Sequence, residues 1–255
     1  MSQHISDENK GRVAIITGGS SGIGEGIAKY FHARGYTVAI MGRDAGRLAT
    51  AAAGIGERCM TLTGDVSNKD DVFAAVKKVV DAHGKIDVLI NNAGATAQIL
   101  TTTPFEQADK IFREQIGTHL YGAFAMFMAV IPHMTRPGGR VINMSSIGSF
   151  NGGRRPGSPG YAAAKAGLNA MVMSWARELG PQGITVNGIA PGFIETALTK
   201  LWSEDRRRAS ISEIAIGRAG TPDDIAAAAY YLCSPQASFV TGEVLNVNGG
   251  GLFVH

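Results

Sequence analysis

Short apolar, β-branched runs alternate along the chain with longer segments whose apolar positions recur at helical spacing. Arg12–Thr17 is the first such run. After a glycine-rich turn, Ile23, Ile27 and Phe31 fall on one helical face, and Gly35 closes that helix. Further strands are predicted at Tyr36–Met41, Cys59–Thr63, Ile86–Ile90, Arg140–Met144, Ile184–Ile189 and Glu243–Val247. Helices are predicted at Asp44–Ala53, Lys69–His83, Phe105–Met134, Tyr161–Leu179 and Asp223–Cys233. Strands that are apolar throughout and separated by helices need crossover connections, and so a parallel sheet covered on both faces. The predicted class is α/β, with seven strands in one doubly wound sheet. Residues 1–10 are expected to form a flexible tail and residues 11–255 a single domain. Two long connections, Ile147–Gly160 and Pro191–Ser210, follow strand ends, where open α/β sheets bind ligands; the second is expected to be a substrate lid.

Composition narrows the class. An apolar share of 45% in 255 residues excludes disorder. A net charge of +3 is too mild to argue for a nucleic-acid or membrane partner. Two cysteines, Cys59 and Cys233, cannot build a disulfide framework, which favours a reducing compartment. Leu120–Ile131, the longest uncharged apolar helical stretch, is too short to span a bilayer, and Met1–Lys10 is too polar and acidic for a targeting peptide. The expectation is a soluble cytoplasmic protein.

Thr17-Gly18-Gly19-Ser20-Ser21-Gly22-Ile23-Gly24 lies between the first strand and the first helix. A pyrophosphate at this place needs glycines for close backbone approach and the helix N-terminus for unpaired N–H groups. The strand–turn–helix context makes this a Rossmann-type dinucleotide site, with Gly18, Ser20, Ser21, Gly22, Ile23 and Gly24 as its lining; a bland tight turn is the alternative. At the end of the second strand, where an NAD site carries a carboxylate, the chain reads Met41-Gly42-Arg43-Asp44. A carboxylate about 4 Å from a 2′-phosphate would cost on the order of 4 kcal/mol. Gly42 removes that repulsion and Arg43 offers a planar cation, so NADP(H) is favoured over NAD(H). Asp44 reads as the N-cap of the next helix, and Arg43 as an ordinary solvated charge is the competing view.

Beyond this turn come Asp65-Val66, Asn91-Asn92-Ala93-Gly94, Asn143-Met144-Ser145-Ser146, Tyr161-Ala-Ala-Ala-Lys165, Pro191-Gly192 and Val240-Thr241-Gly242, in that order. Taken together over almost the whole chain, these motifs resemble the short-chain dehydrogenase/reductase family, particularly its 3-oxoacyl-carrier-protein reductase-like members. The resemblance implies that Asp65 and Val66 hold the adenine, and that Asn91, Asn92, Ala93 and Gly94 line the cofactor and brace the sheet. Pro191, Gly192, Ile194 and Thr196 would then meet the nicotinamide and phosphate side. It also implies carbonyl or alcohol chemistry, because related enoyl reductases place the Lys further on.

The residues themselves support this chemistry. Tyr161 and Lys165 share one helical face. Ionising a phenol of pKa near 10 at neutral pH needs roughly 4 kcal/mol, which a Lys⁺ one turn away is placed to supply. Ser146 would hydrogen-bond the substrate oxygen where charge grows, with Ser145 as the lesser candidate. Three features depart from the family pattern. His119 stands where an Asn usually closes a proton relay; a neutral imidazole could hold a water or pass a proton, or simply pack. The step from Ser146 to Tyr161 is longer than usual, around Gly152-Gly153-Arg154-Arg155. Asn248 replaces an Asp before the terminal glycines, with subunit packing the expected consequence.

In the long helix, Phe112, Ile116, Leu120, Phe124 and Met128 form a stripe expected to face the sheet. Met126, Phe127 and Val130 then point elsewhere, which suggests a homodimer or homotetramer. Arg206-Arg207-Arg208 and Arg154-Arg155 are either a solvated face or a greeting for a substrate carried on coenzyme A or acyl-carrier protein. The combined expectation is an NADP(H)-dependent oxidoreductase reducing a ketone or 3-oxoacyl thioester, with Ser146, Tyr161, Lys165 and His119 as its catalytic set. Alternatives are an alcohol, sugar or steroid dehydrogenase and, more remotely, a silent nucleotide sensor.

Overall fold

Seven strands, β1 (Val13–Thr17), β2 (Thr37–Gly42), β3 (Cys59–Thr63), β4 (Val88–Asn91), β5 (Arg140–Met144), β6 (Thr185–Pro191) and β7 (Val244–Val247), pair in parallel in the order β3-β2-β1-β4-β5-β6-β7. This computed structural model describes residues 9–154 and 156–254. The order reverses between β1 and β4, whose register Ala14↔Val88 to Ile16↔Ile90 brings their carboxyl ends together and opens the crevice where such sheets bind ligands.

Helices cover both faces. On one lie α1 (Gly22–His32), α2 (Ala45–Ile55) and, near the chain's end, α10 (Pro222–Cys233). They pack Ile27, Phe31, Leu48 and Ile225 against Ala14, Ile16, Val38 and Ile40 of the sheet. On the other face lie α3 (Lys69–His83), α4 (Phe105–Gln115), α5 (Gly122–Val130) and α7 (Pro159–Leu179), the last preceded by the single turn α6 (Gly148–Asn151). Their Val72, Val76, Met126, Phe127 and Trp175 meet Val13, Ile15, Leu89 and Val141. Alternate strand residues serve opposite layers, which is why the strands read as unbroken apolar runs.

Three expectations need correction. The tail predicted over residues 1–10 ends sooner: Asn9 is buried, donating to the Arg34 carbonyl at 3.2 Å and the Tyr230 hydroxyl at 2.9 Å; residues 1–8 lie outside the described residues. The connection at 191–210 is partly helical, holding α8 (Ala197–Lys200) and the start of α9 (Glu204–Ile211). The long helix expected over Phe105–Met134 is interrupted by a π-helical segment, Ile116–Tyr121. That interruption reverses the expected stripe. Phe112, Phe124 and Met128 are 40%, 42% and 46% exposed, whereas Met126, Phe127 and Val130 are buried on the sheet, Phe127 stacking on Trp175 at 3.8 Å. Each four-residue step over-rotates a helix by about 40°, so a stripe at that spacing winds off its face; a π turn adds a further residue.

Candidate active site

The glycine turn after β1 is built for close packing. Gly18 has φ +66° and its amide donates to the Met41 carbonyl at 2.8 Å. A Cβ on Gly24 would stand 2.4 Å from the Gly18 carbonyl oxygen, and one on Gly19 2.6 Å from Ile40 Cγ2. Asn92 and Ala93 clamp the turn from β4: both amides donate to Thr17 Oγ1 at 2.9 Å, and Asn92 Nδ2 donates to the Thr17 carbonyl at 2.9 Å. Asn91 Nδ2 reaches sideways to Asn143 Oδ1 at 2.9 Å, bracing β4 to β5.

The start of α1 differs from its neighbours. Asp44 caps α2 by accepting from the Arg47 amide at 3.0 Å, as its sequence position predicted, and Asn68 caps α3. Ser21, at the corresponding place in α1, makes no side-chain cap bond. The first-turn amides of α1, at Gly22, Ile23 and Gly24, thus have no side-chain acceptor among the described residues, and such a helix N-terminus suits a pyrophosphate. Thr196 closes in from the far side of the sheet: a Cβ on Gly22 would meet its Cγ2 at 3.4 Å. The residues present fit a dinucleotide.

At the ends of β2 and β3, Arg43 Nη1 lies 3.7 Å from Asp65 Oδ2, with the Arg43 side chain 74% exposed. Asp65 Oδ1 accepts from the Ser67 amide and hydroxyl. Val66 turns its side chain inward against Gly122. A cleft of about 470 Å³ opens beside Ser20, lined also by Glu25, Asp44, Arg47 and Thr50. Beyond β6, the Pro191 carbonyl accepts from the Ile147 amide, the Gly192 amide donates to Val247, and Ile194 is buried beside Gly220. Asn248 packs on Gly192 and ties the chain end through Gly250 and Leu252.

Ser146, Tyr161, Lys165 and His119 are brought together at the carboxyl ends of β4 and β5. Ser146 and Tyr161 face the same spot beside Gly148, where a Cβ would stand 3.3 Å from Ser146 Oγ and 3.5 Å from Tyr161 Cε1, and Ser146 Oγ accepts from the Gly148 amide at 3.0 Å. The two adjacent serines separate cleanly. Ser145 is buried and donates to Asn169 Oδ1 at 2.6 Å, so Ser146 alone is presented to Tyr161. Lys165 Nζ lies 5.8 Å from the Tyr161 ring centroid and donates to the Met144 carbonyl at 2.5 Å. Burial pushes the Lys165 ammonium down to about 7. Burial also pushes the Tyr161 phenol up, opposed by the Ser146 hydroxyl. The expected lowering of the phenol by Lys165 is thus outweighed in the protein alone, because desolvation disfavours the phenolate and weakens the ammonium that would favour it.

His119 sits in the π segment with its ring edge-on to Tyr161, centroids 5.1 Å apart. His119 Nε2 lies 2.6 Å from the Ala95 carbonyl, to which its protonated form donates, and 3.3 Å from the Ala95 amide, while Nδ1 has no hydrogen-bond partner among the described residues. Burial, with Lys165 nearby, lowers its pKa to about 4. The unfolded imidazole binds its proton more tightly, so stability is lost as pH falls from about 6.5 to about 4, by on the order of 3 kcal/mol. Urea unfolding at pH 7 and pH 4.5 is expected to show this loss, and His119→Asn to flatten it; an unchanged acid limb would contradict the neutral buried state.

The long loops lie beside these groups. Gly152, Gly153 and Gly157 take positive φ in the longer Ser146–Tyr161 connection, and Arg154 pairs with Glu213; Arg155 lies outside the described residues. Arg207 pairs with Glu195, Arg208 with Asp205, and the Arg206 guanidinium stands 3.5 Å over the Trp202 ring, which stacks on Phe193. Arg206 and Arg207 are thus half-buried and engaged, while Arg208 is exposed. Sequence reading missed Asn169, a polar position on the face of α7 that buries Leu168 and Val172, and Gln115, the one buried residue of α4, which donates to the Ala97 carbonyl at 2.8 Å.

A family model described as enoyl-(acyl carrier protein) reductase matches residues 18–251. The 3-oxoacyl-acyl-carrier-protein reductase of Vibrio harveyi is 39% identical over 242 residues, covering 94% of this chain and 97% of that one. The enzyme of the same name from Chlamydia muridarum is 40% identical over 244 residues, covering 94% and 96%. Among solved structures, a dehydrogenase/reductase from Sinorhizobium meliloti superposes with TM-score 0.89 at 31% identity, covering 98% of each chain. A short-chain dehydrogenase/reductase titled glucose/ribitol dehydrogenase from Brucella melitensis does so with TM-score 0.88 at 30% identity, covering 97% and 99%.

Proposed function

The chain belongs to the short-chain dehydrogenase/reductase family, and on that premise we propose how its residues reduce a ketone or 3-oxoacyl thioester to the alcohol. It is an oxidoreductase acting on carbonyl and alcohol groups, using a nicotinamide cofactor. A bound nicotinamide dinucleotide supplies the hydride. Gly18, Ser20, Ser21, Gly22, Ile23 and Gly24 cradle its pyrophosphate; Asp65 and Val66 take the adenine side. Asn92, Ala93, Gly94, Pro191, Gly192, Ile194 and Thr196 line its other end. Ser146 Oγ orients the substrate carbonyl oxygen. Tyr161 Oη transfers its proton to that oxygen as charge grows there. Lys165 holds the cofactor ribose and, when protonated, favours the phenolate left behind. His119 keeps Nδ1 as an acceptor through which a water returns a proton.

The observation that carries this reading is the convergence of Ser146 Oγ and Tyr161 on one spot beside Gly148, with Lys165 one helical turn on and the glycine cradle alongside. The Tyr161-x-x-x-Lys165 spacing supports carbonyl over enoyl reduction, and the reductase names of the relatives from Vibrio harveyi and Chlamydia muridarum support an acyl thioester substrate.

NADP(H) is the proposed cofactor. Gly42 places no carboxylate at the ribose, Arg43 is largely exposed, and two nearby acids are engaged, Asp44 in its cap and Glu25 with Lys29 at 2.6 Å. A homodimer or homotetramer through the α4–α5 surface is proposed from the exposed Phe112, Tyr121, Phe124 and Met128. Among the described residues no helix is long and apolar enough to cross a membrane, and a cytoplasmic location is proposed.

One experiment tests the set. Purified enzyme, run on light scattering as a dimer or tetramer, is assayed by nicotinamide absorbance against ketones and 3-oxoacyl thioesters. NADPH is expected to give a KM about tenfold below NADH, with Arg43→Ala narrowing the gap, as one charge-assisted contact of ~1.4 kcal/mol would. Cofactor binding without any turnover would mark a silent sensor; a preference for NADH would overturn the role of Arg43; a monomer would remove the interface.

A further inference from the structure

Residues 94–100 cross the open end of the sheet in neither helix nor strand, and Gly94 to Gln98 are exposed. Exposed loop backbone is ordinarily left to water, yet this one is held at three successive alternate residues. His119 Nε2 contacts the Ala95 carbonyl at 2.6 Å, Gln115 Nε2 donates to the Ala97 carbonyl at 2.8 Å, and the Ile99 amide donates to the Gly157 carbonyl at 2.9 Å. The first two side chains are only 4% exposed each and stand one helical turn apart, where α4 passes into the π segment.

Gln115 faces two ways. Its Nε2 holds the loop, while its Oε1 lies against Gly160, the residue before Tyr161: a Cβ there would stand 2.4 Å from Oε1. That oxygen is buried without a hydrogen-bond donor among the described residues, and Phe112 Cδ2 closes the same spot at 3.1 Å. A buried amide with one end unsatisfied is a poor way merely to fill space, since an apolar side chain of equal length would pack there without the desolvation cost. Its placement spans the gap between the exposed loop and the first turn of the helix that carries Tyr161.

We propose that Gln115 is a specificity-determining positioning residue, a buried strut that sets how far the 95–98 loop stands from Tyr161 and so how large a group fits beside the reacting carbonyl. This rests on the reductase reading above for what the loop faces. The strut acts through the backbone at Ala97, not by touching substrate, and misplacing a pocket wall by a fraction of an ångström is felt in orientation. His119 supplies a second rung at Ala95, so loss of Gln115 loosens the loop at Ala97 to Ile99 without freeing it at Ala95.

The test compares full-length wild type with Gln115→Met, which keeps length and loses the donor, and Gln115→Glu, which regains a donor only when protonated. Three readouts are taken: cofactor affinity by nicotinamide fluorescence, kcat and KM for a small and a bulky ketone, and amide exchange over residues 94–100. In Gln115→Met the ratio of kcat/KM between the two ketones is expected to shift about tenfold, mainly through KM, with faster exchange confined to 97–99 and cofactor affinity retained. In Gln115→Glu the ratio is expected to return toward wild type as pH falls; using a ratio cancels the pH dependence of proton transfer common to both substrates. Wild-type discrimination and exchange in Gln115→Met would overturn the proposal, as would an equal loss on both ketones with cofactor affinity lost too. Should Gln115→Met fail to fold, the pH response of Gln115→Glu decides. If wild type reduces no ketone the reductase reading fails, while exchange still reports whether the strut holds the loop.

Discussion

Tyr161→Phe is expected to lower kcat/KM for ketone reduction by about 10³-fold or more, the upper range for losing a positioned proton donor. Phenylalanine keeps the ring that packs edge-on against His119 and leaves Ser146 with its Gly148 bond, so the fold and the glycine cradle should survive. Cofactor affinity, read by nicotinamide fluorescence, is expected to stay within about threefold of wild type, because only interactions made as charge develops are removed. Lys165 gives one of its donors to the Met144 carbonyl and the Ser145 hydroxyl is spent on Asn169, which leaves Tyr161 as the proton donor proposed for that oxygen. Undiminished turnover in this variant would refute the assignment of Tyr161 and require another donor.

Gly24→Ala should act through the cradle instead. The added methyl would stand 2.4 Å from the Gly18 carbonyl oxygen and 2.5 Å from Asn92 Nδ2. Neither can yield cheaply: the Gly18 amide is bonded to Met41 of β2, and Asn92 to the Thr17 carbonyl. The turn must open where the first amides of α1 lie, so cofactor Kd is expected to rise about a hundredfold, or roughly 2.7 kcal/mol, with a lower Tm. Gly54→Ala is the matched control. Nothing lies within 4 Å of a Cβ there, near the end of α2, and Ala should stabilise the helix by up to about 1 kcal/mol. Equal cofactor affinity in the two variants would contradict the close-approach account of the turn.

The elements and the chemistry were legible to different depths. All seven strands lie where apolar runs placed them: the central ones because a strand covered on both faces is apolar at most positions, while the edge strands β3 and β7 keep enough apolar positions although Thr61, Thr63 and Asn246 are exposed. Tyr161 and Lys165 were legible because both sit on one uninterrupted helix, where spacing alone sets the shared face. Asp44 was legible because a cap is a contact within three residues. The long helix misled for the complementary reason. Its repeat assumed a constant twist, and the π segment at Ile116–Tyr121 changes which residues reach the sheet, so Phe127 and not Phe124 stacks on Trp175.

Residue order by itself determined the parallel seven-stranded class, the glycine turn and the Tyr–Lys pair, since each depends on periodicity or on contacts a turn or less apart. Tertiary structure alone decided that Ser145 is spent on Asn169 while Ser146 is offered to Tyr161, that burial raises the phenol and lowers the lysine, and that Gln115 reaches a loop eighteen residues back. Those outcomes depend on desolvation and on partners from distant elements, and neither exists until the layers close.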